Sequence, residues 1–104
     1  MNSKKYEMIF CIVNAGFAAE AMEVARKAGV KGGTILHARG SANPEAEEFF
    51  NITIQPDKEI LWLIVPKDIK DEVMHKLYQE AGLSTQGKGI AFSLPVSHAV
   101  GLHE

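Results

Sequence analysis

The sequence predicts an α+β domain of ferredoxin-like type, a four-stranded antiparallel sheet with two helices on one face, connected β-α-β-β-α-β. Three observations predict it. Four short runs are rich in Ile, Val, Leu and Phe; two longer stretches carry apolar residues at helical spacing; and the two kinds alternate in this order.

The first strand is Tyr6–Asn14, ended by Asn14-Ala15-Gly16. A helix over Phe17–Ala28 follows, with Phe17, Ala21, Val24, Ala25 and Ala28 on one stripe and Glu20, Glu23, Arg26 and Lys27 on the other side. Gly29 stops it. Gly32-Gly33 opens a second strand through about Ala38, and Gly40–Pro44 reads as a loop. Pro44–Phe50 has the composition of a short acidic helix, and Asn51–Ile54 that of a short ribbon. Gln55-Pro56-Asp57 turns the chain into a third strand, Glu59–Val65. Asp68 is placed to cap a second helix, Ile69–Ala81, whose stripe of Ile69, Val73 and Leu77 is widened by Met74, Tyr78 and Ala81. Gly82 ends that helix, Leu83–Gly89 is a glycine-bearing loop, and Ile90–Val96 is the fourth strand, with Pro95 marking an edge or a bulge.

Two helices cover one face of a four-stranded sheet. A strand with one face in water alternates apolar and polar residues. The first and third strands do not. Met8, Phe10 and Ile12 oppose Ile9, Cys11 and Val13, and Ile60, Trp62 and Ile64 oppose Leu61, Leu63 and Val65. The face without helices is therefore expected to be a large apolar patch, buried against copies of the same chain in a closed ring.

Composition narrows the function classes. The 104 residues suit one domain, residues 1–104, with 46% apolar and 23% charged residues, as in ordinary globular proteins. A net charge of −2 argues against nucleic-acid binding. Cys11 is alone, so no disulfide framework forms within one chain and a reducing compartment fits. The apolar runs are too short to span a bilayer, and Met1–Lys5 leads into a strand with no small-residue cleavage site behind it. A cytoplasmic protein that is not inserted in a membrane is expected.

Signals of catalysis are few. There is no G-x-S-x-G elbow and no P-loop. Cys11 sits mid-strand among apolar residues, where a thiol packs as a small hydrophobe. Glu45, Glu47 and Glu48 read as a solvated face. No two of His37, His75, His98 and His103 lie at i, i+4 on one helix, so no catalytic residue and no metal site is assigned within one chain. His75 reads as an exposed helix residue. His37 shares a strand face with Ile35 and Arg39, which fits either a solvent-facing pair or a polar wall beside a ligand. Gly87-Lys88-Gly89 can present backbone N–H groups and one charge to an anion, or serve as a plain connection. The Gly32-Gly33 turn is expected at the same end of the sheet, where with Arg39 and Lys58 it would complete a shallow anion pocket.

Taken in order, Gly32-Gly33-Thr34-Ile35, Gly40, the run Lys58–Ile69 ending in Ile64-Val65-Pro66-Lys67-Asp68-Ile69, and Gly87-Lys88-Gly89 before Phe92 resemble the PII family of nitrogen-regulatory signalling proteins. The resemblance spans nearly the whole chain. It implies a homotrimer of βαββαβ subunits, with adenine nucleotides bound in the three clefts between them. It also implies a T-loop, here about 40–57, that engages partner proteins such as membrane transporters, and a B-loop, here about 84–89. Thr34 matches the threonine that reads adenine, and Gly32, Gly40, Gly87 and Gly89 match the glycines around the nucleotide.

The chain departs from the family pattern where charge matters. Ile90 replaces the lysine after the B-loop glycines, and Gly101 and His103 stand where two arginines grip phosphates. Each lost charge-assisted contact removes about 1.5–3 kcal/mol. These departures from the pattern imply weak ATP binding and a less charged nucleotide, such as AMP, ADP or a cyclic nucleotide, or some other metabolite as the ligand. The T-loop segment has Phe49 and Phe50 as its aromatics and no tyrosine, so uridylylation of the usual kind is impossible there. Two other readings share the scaffold. One is a ligand-free interaction module using Phe49 and Phe50 as anchors. The other is a metal-linked trimer of the divalent-cation tolerance type, with His37, His98 and His103 meeting across subunits.

Overall fold

A computed structural model describes residues 5–40, 57–85 and 88–102. The elements are β1 (Tyr6–Asn14), α1 (Ala18–Lys27), β2 (Thr34–Arg39), β3 (Asp57–Pro66), α2 (Lys67–Glu80) and β4 (Gly89–Val96). The strands form one sheet in the order β2-β3-β1-β4, with every neighbouring pair antiparallel. This is the expected fold. The expected helix and ribbon over 44–54 lie outside the described residues.

Glycine backbone freedom punctuates the helices. Gly16 precedes α1 with φ 97°, and Gly29 ends it with φ 107°, its N–H donating to the Arg26 carbonyl. The start of α2 differs from expectation. Asp68 makes no cap; Pro66 holds the cap position with an extended ψ of 141°, and no side chain caps the helix. β3 runs straight into α2, whose first N–H, on Lys67, donates to the Lys5 carbonyl at 2.9 Å. Asp68 instead lies in the first helical turn, where its charge complements the helix dipole.

The core lies between the helices and one face of the sheet. Ile9, Cys11 and Val13 of β1 and Leu61, Leu63 and Val65 of β3 are buried there, beneath Ala18, Ala21 and Ala25 of α1 and Val73 and Leu77 of α2. Small residues on the inner side of α1 let it lie close to the strands. Two expected core residues are outside it. Phe17 precedes α1 as its N-cap residue and is 46% exposed, and Tyr78 on α2 is 56% exposed.

Among the described residues, no helix covers the opposite face. Phe10, Trp62 and Phe92 occupy one row across β1, β3 and β4, with ring centroids 5.0 and 5.5 Å apart. Leu36, Ile64 and Leu94 extend this patch, and these three with Trp62 and Phe92 are 37–44% exposed. The expectation of an uncovered apolar face holds for the isolated subunit.

Burial of Cys11 generates a pH dependence. Desolvation pushes its thiol from 9.0 to about 12. The unfolded chain thus loses this proton first, so the contribution is constant below pH 9 and falls as pH rises from 9 to 12. In urea titrations, the wild type should lose on the order of 1 kcal/mol per pH unit above about pH 9 relative to Cys11→Val.

Candidate functional site

The two glycine turns do not meet at one end of the sheet, although His37, Arg39, Lys58 and Gly89 are level with one another near Asn14. β2 runs parallel to β1 and β4 antiparallel to it, so the two strands start at opposite ends. Thr34, at the start of β2, is level with Trp62; Gly89, at the start of β4, is level with Val13 and Glu59. Three strand spacings, about 14 Å, also separate them across the sheet. The two glycine turns expected at one end of the sheet therefore stand on opposite edges, and the candidate residues form two half-sites. Gly32, Thr34, His37, Arg39, Gly40 and Lys58 belong to the β2 side, and Lys88 and Gly89 to the β4 side. Gly87, Phe49 and Phe50 lie outside the described residues.

The β2 half-site is divided again by strand alternation. Thr34 and Lys58 share the open face with Trp62 and Asn14, whereas His37 and Arg39 share the helix-side face with Glu59 and Asp57. A side chain at Gly32 would meet nothing within 4 Å, but a Cβ at Gly33 would sit 2.5 Å from Leu63 Cδ2 and 3.2 Å from the Trp62 carbonyl. Close approach therefore requires glycine at 33, not 32. Gly40 has a related role: a Cβ there would press on the Lys58 stem, 3.1 Å from Cε. That stem is packed away, leaving Lys58 3% exposed, with Nζ donating to Asn14 Oδ1 at 2.7 Å.

Glu59 organises this end of the molecule. It lies on β3 in register with the core residues Leu61, Leu63 and Val65, yet carries a charge. Its Oε1 accepts from the N–H groups of Gly16 and Ala18, both at 3.0 Å. These are donors at the start of α1, which has no cap from its own N-cap side chain. Oε2 lies 3.8 Å from His37 Nδ1, but the His37 side chain is 84% exposed. His37 is thus a solvent-facing residue beside a carboxylate, with no enclosed wall around it.

On the β4 side, the loop after α2 is folded by hydrogen bonds from Ser84 N to the Tyr78 carbonyl, Thr85 N to the Gly82 carbonyl and Lys88 N to the Thr85 carbonyl. A Cβ at Gly89 would collide with the Ile12 carbonyl oxygen, so glycine there is what lets β4 begin against β1. The Lys88 ammonium sits over the Phe17 ring, 5.5 Å from its centroid. Beside it, a cavity of about 280 Å³ is lined by Met74, Tyr78, Leu83, Gly89, Ile90 and Ala91. Among the described residues, no group of three or more His, Cys, Asp or Glu side chains could hold a metal ion, and no helix is long and apolar enough to cross a membrane.

Sequence reasoning missed Glu59, Asn14 and the Lys88–Phe17 contact, and it named the Gly32-Gly33 turn without the close packing that requires glycine at 33. Only Glu59 carries a usable signal, a carboxylate in register with core positions.

No family model and no curated protein matches the chain. Solved structures do. A PII-like signalling protein from Thermus thermophilus superposes with a TM-score of 0.68 at 20% identity, over 92% of this chain and 90% of that one. PII from Arabidopsis thaliana bound to citrate gives 0.66 at 24% identity, over 91% and 78%. CPII from Thiomonas intermedia, solved with ADP, AMP and acetate, gives 0.67 at 15% identity, over 94% of each chain. The chain has the fold of the PII-like signalling proteins.

The cap supplied by Glu59 has a measurable contribution. Glu59→Ala should destabilise the protein by about 1–3 kcal/mol in thermal or urea unfolding. Glu59→Gln, which keeps an acceptor oxygen, should lose less than half as much.

Proposed function

We propose that this fold serves a divergent PII-like signalling protein, a regulator rather than an enzyme. It assembles as a homotrimer and binds an adenine nucleotide less charged than ATP in the clefts between subunits. The observation that carries this reading is the division of the candidate site. One half lies on the β2 edge, the other on the β4 edge, and an uncovered apolar face lies between them. A closed ring brings the β4 edge of one copy to the β2 edge of the next and covers that face in the same step. Thr34 and Lys58 of one subunit would then face the 84–89 loop of another.

The energetics are favourable. Five large side chains left about two-fifths exposed make a patch on the order of 400 Å². Burying it contributes about 10 kcal/mol per subunit before association costs of similar size are met by further contacts. The cation inventory supports the choice of ligand. Ile90, Gly101 and His103 supply no permanent cation at the positions named above, and the Lys58 ammonium is engaged by Asn14. Arg39 and Lys88 are exposed cations on the two half-sites. Two such cations suit a mono- or diphosphate better than a triphosphate. ADP and AMP in CPII support an adenine nucleotide as the class. The protein acts in the cytoplasm, and the segment of about 40–57, with Phe49 and Phe50, is the proposed contact to a partner protein such as a membrane transporter.

Sedimentation velocity should give a trimer, and Ile64→Glu, which puts a charge on the open face, should give a folded monomer. A folded wild-type monomer at micromolar concentration would refute the assembly. By calorimetry, AMP or ADP should bind at least about tenfold more tightly than ATP, the equivalent of one charge-assisted contact. Tighter binding of ATP, or no heat with any of the three at millimolar concentration, would refute the nucleotide assignment.

A further inference from the structure

The cavity of about 280 Å³ beside α2 has a defined place in the layers. Gly89 and Ala91 of β4 are level with Val13 and Cys11, which are core residues, so both positions face the helices. Met74 and Tyr78 lie four residues apart on α2 and share one face of it. Leu83 and Ile90 complete the lining. The cavity thus opens on the helix side of the sheet, apart from the open face with Phe10, Trp62 and Phe92. Its space follows from the sequence. The two β4 residues facing α2 here are glycine and alanine, and a Cβ at Gly89 would collide with the Ile12 carbonyl oxygen.

The chemistry of the walls selects a guest. Among the described residues, no charged side chain lines the cavity, and its polar group is the Tyr78 hydroxyl. Met74 is an unbranched, polarisable side chain that adapts to an apolar guest. An apolar cavity of about 150 Å³ admits benzene, so about 280 Å³ has room for a chain of roughly eight carbons. A cation stands at the rim. Lys88 adjoins Gly89, and its Cγ lies 3.9 Å from where a Cβ at Gly82 would stand. Among the described residues its ammonium meets the Phe17 ring and no carboxylate. That contact is partly exposed, and the four-carbon stem is free to turn to an anion at the cavity mouth.

We infer that this cavity binds a medium-chain aliphatic carboxylate, with the tail between α2 and β4 and the carboxylate paired with Lys88. The inference goes beyond the nucleotide reading and does not depend on it, although Lys88 also belongs to the β4 half-site.

Octanoate, titrated into the nucleotide-free protein, is the probe. The Met74 methyl resonance should shift and saturate with a Kd of about 1 mM or tighter, which a ligand of about ten non-hydrogen atoms reaches. Trp62 is the single tryptophan and lies on the open face, so its fluorescence should stay unchanged. Octan-1-ol, which lacks the charge, should bind about 2–5-fold more weakly, and Lys88→Met should remove that difference. Ala91→Leu, which fills the space, should weaken octanoate at least about tenfold. No Met74 shift at millimolar octanoate would overturn the site, as would a matching change at Trp62, which marks adsorption to the open face. Equal affinity of octanoate and octan-1-ol in the wild type would overturn the role of Lys88. These three wild-type outcomes decide the proposal even where Ala91→Leu fails to fold. Calorimetry with ADP bears on the nucleotide reading alone, so the two readings fail separately.

Discussion

The two central strands are apolar on both faces, and most of the architecture answers to that constraint. β1 and β3 form the middle of the sheet, and each buries one set of side chains under the helices and leaves an equally apolar set on the other side. The covered side builds the subunit core, with Leu61, Leu63 and Leu77 fully buried. The uncovered side turns folding and association into one problem. Neither described helix can hide it, because both are already committed to the opposite layer.

Polar chemistry is consequently confined to the margins of the sheet. Where β3 begins, the alternation that places leucines under the helices also places Glu59 there, and the carboxylate is satisfied by the backbone donors at the start of α1. This tertiary cap does what a serine or aspartate at the head of the helix would do locally. The same strand turns Lys58 to the other face, where Asn14 holds it. Opposite charges on adjacent β3 residues thus stabilise two different layers without neutralising each other.

The legibility of each feature follows its range in the chain. Strands and helices are readable because periodicity and glycine punctuation are local signals, and the expected span of β1 is the observed one. The paired faces of β1 and β3 are also readable, since alternation alone assigns them. The start of α2 is misleading: Asp68 has the chemistry of a cap, but β3 continues to Pro66 and enters the helix without a loop. The site is less legible. Two similar glycine turns suggest one pocket, whereas strand direction places them at opposite ends, and direction emerges only from pairing. Lys88 over Phe17 joins residues 71 positions apart in the chain (88 − 17), and neither neighbourhood announces the other.

The two margins of the sheet are unequal in a way that bears on the life of a newly made chain. β4 carries Pro95, which offers no N–H to an incoming strand, whereas β2 has no proline and Thr34–His37 are all exposed. Gly33 lets this strand lie tightly against β3, but no helix among the described residues shelters it. Left uncovered, the chain exposes one inviting edge beside a greasy face, the combination that recruits chaperones and seeds misassembly. Any contact that covers the edge and the face together therefore removes both hazards at once.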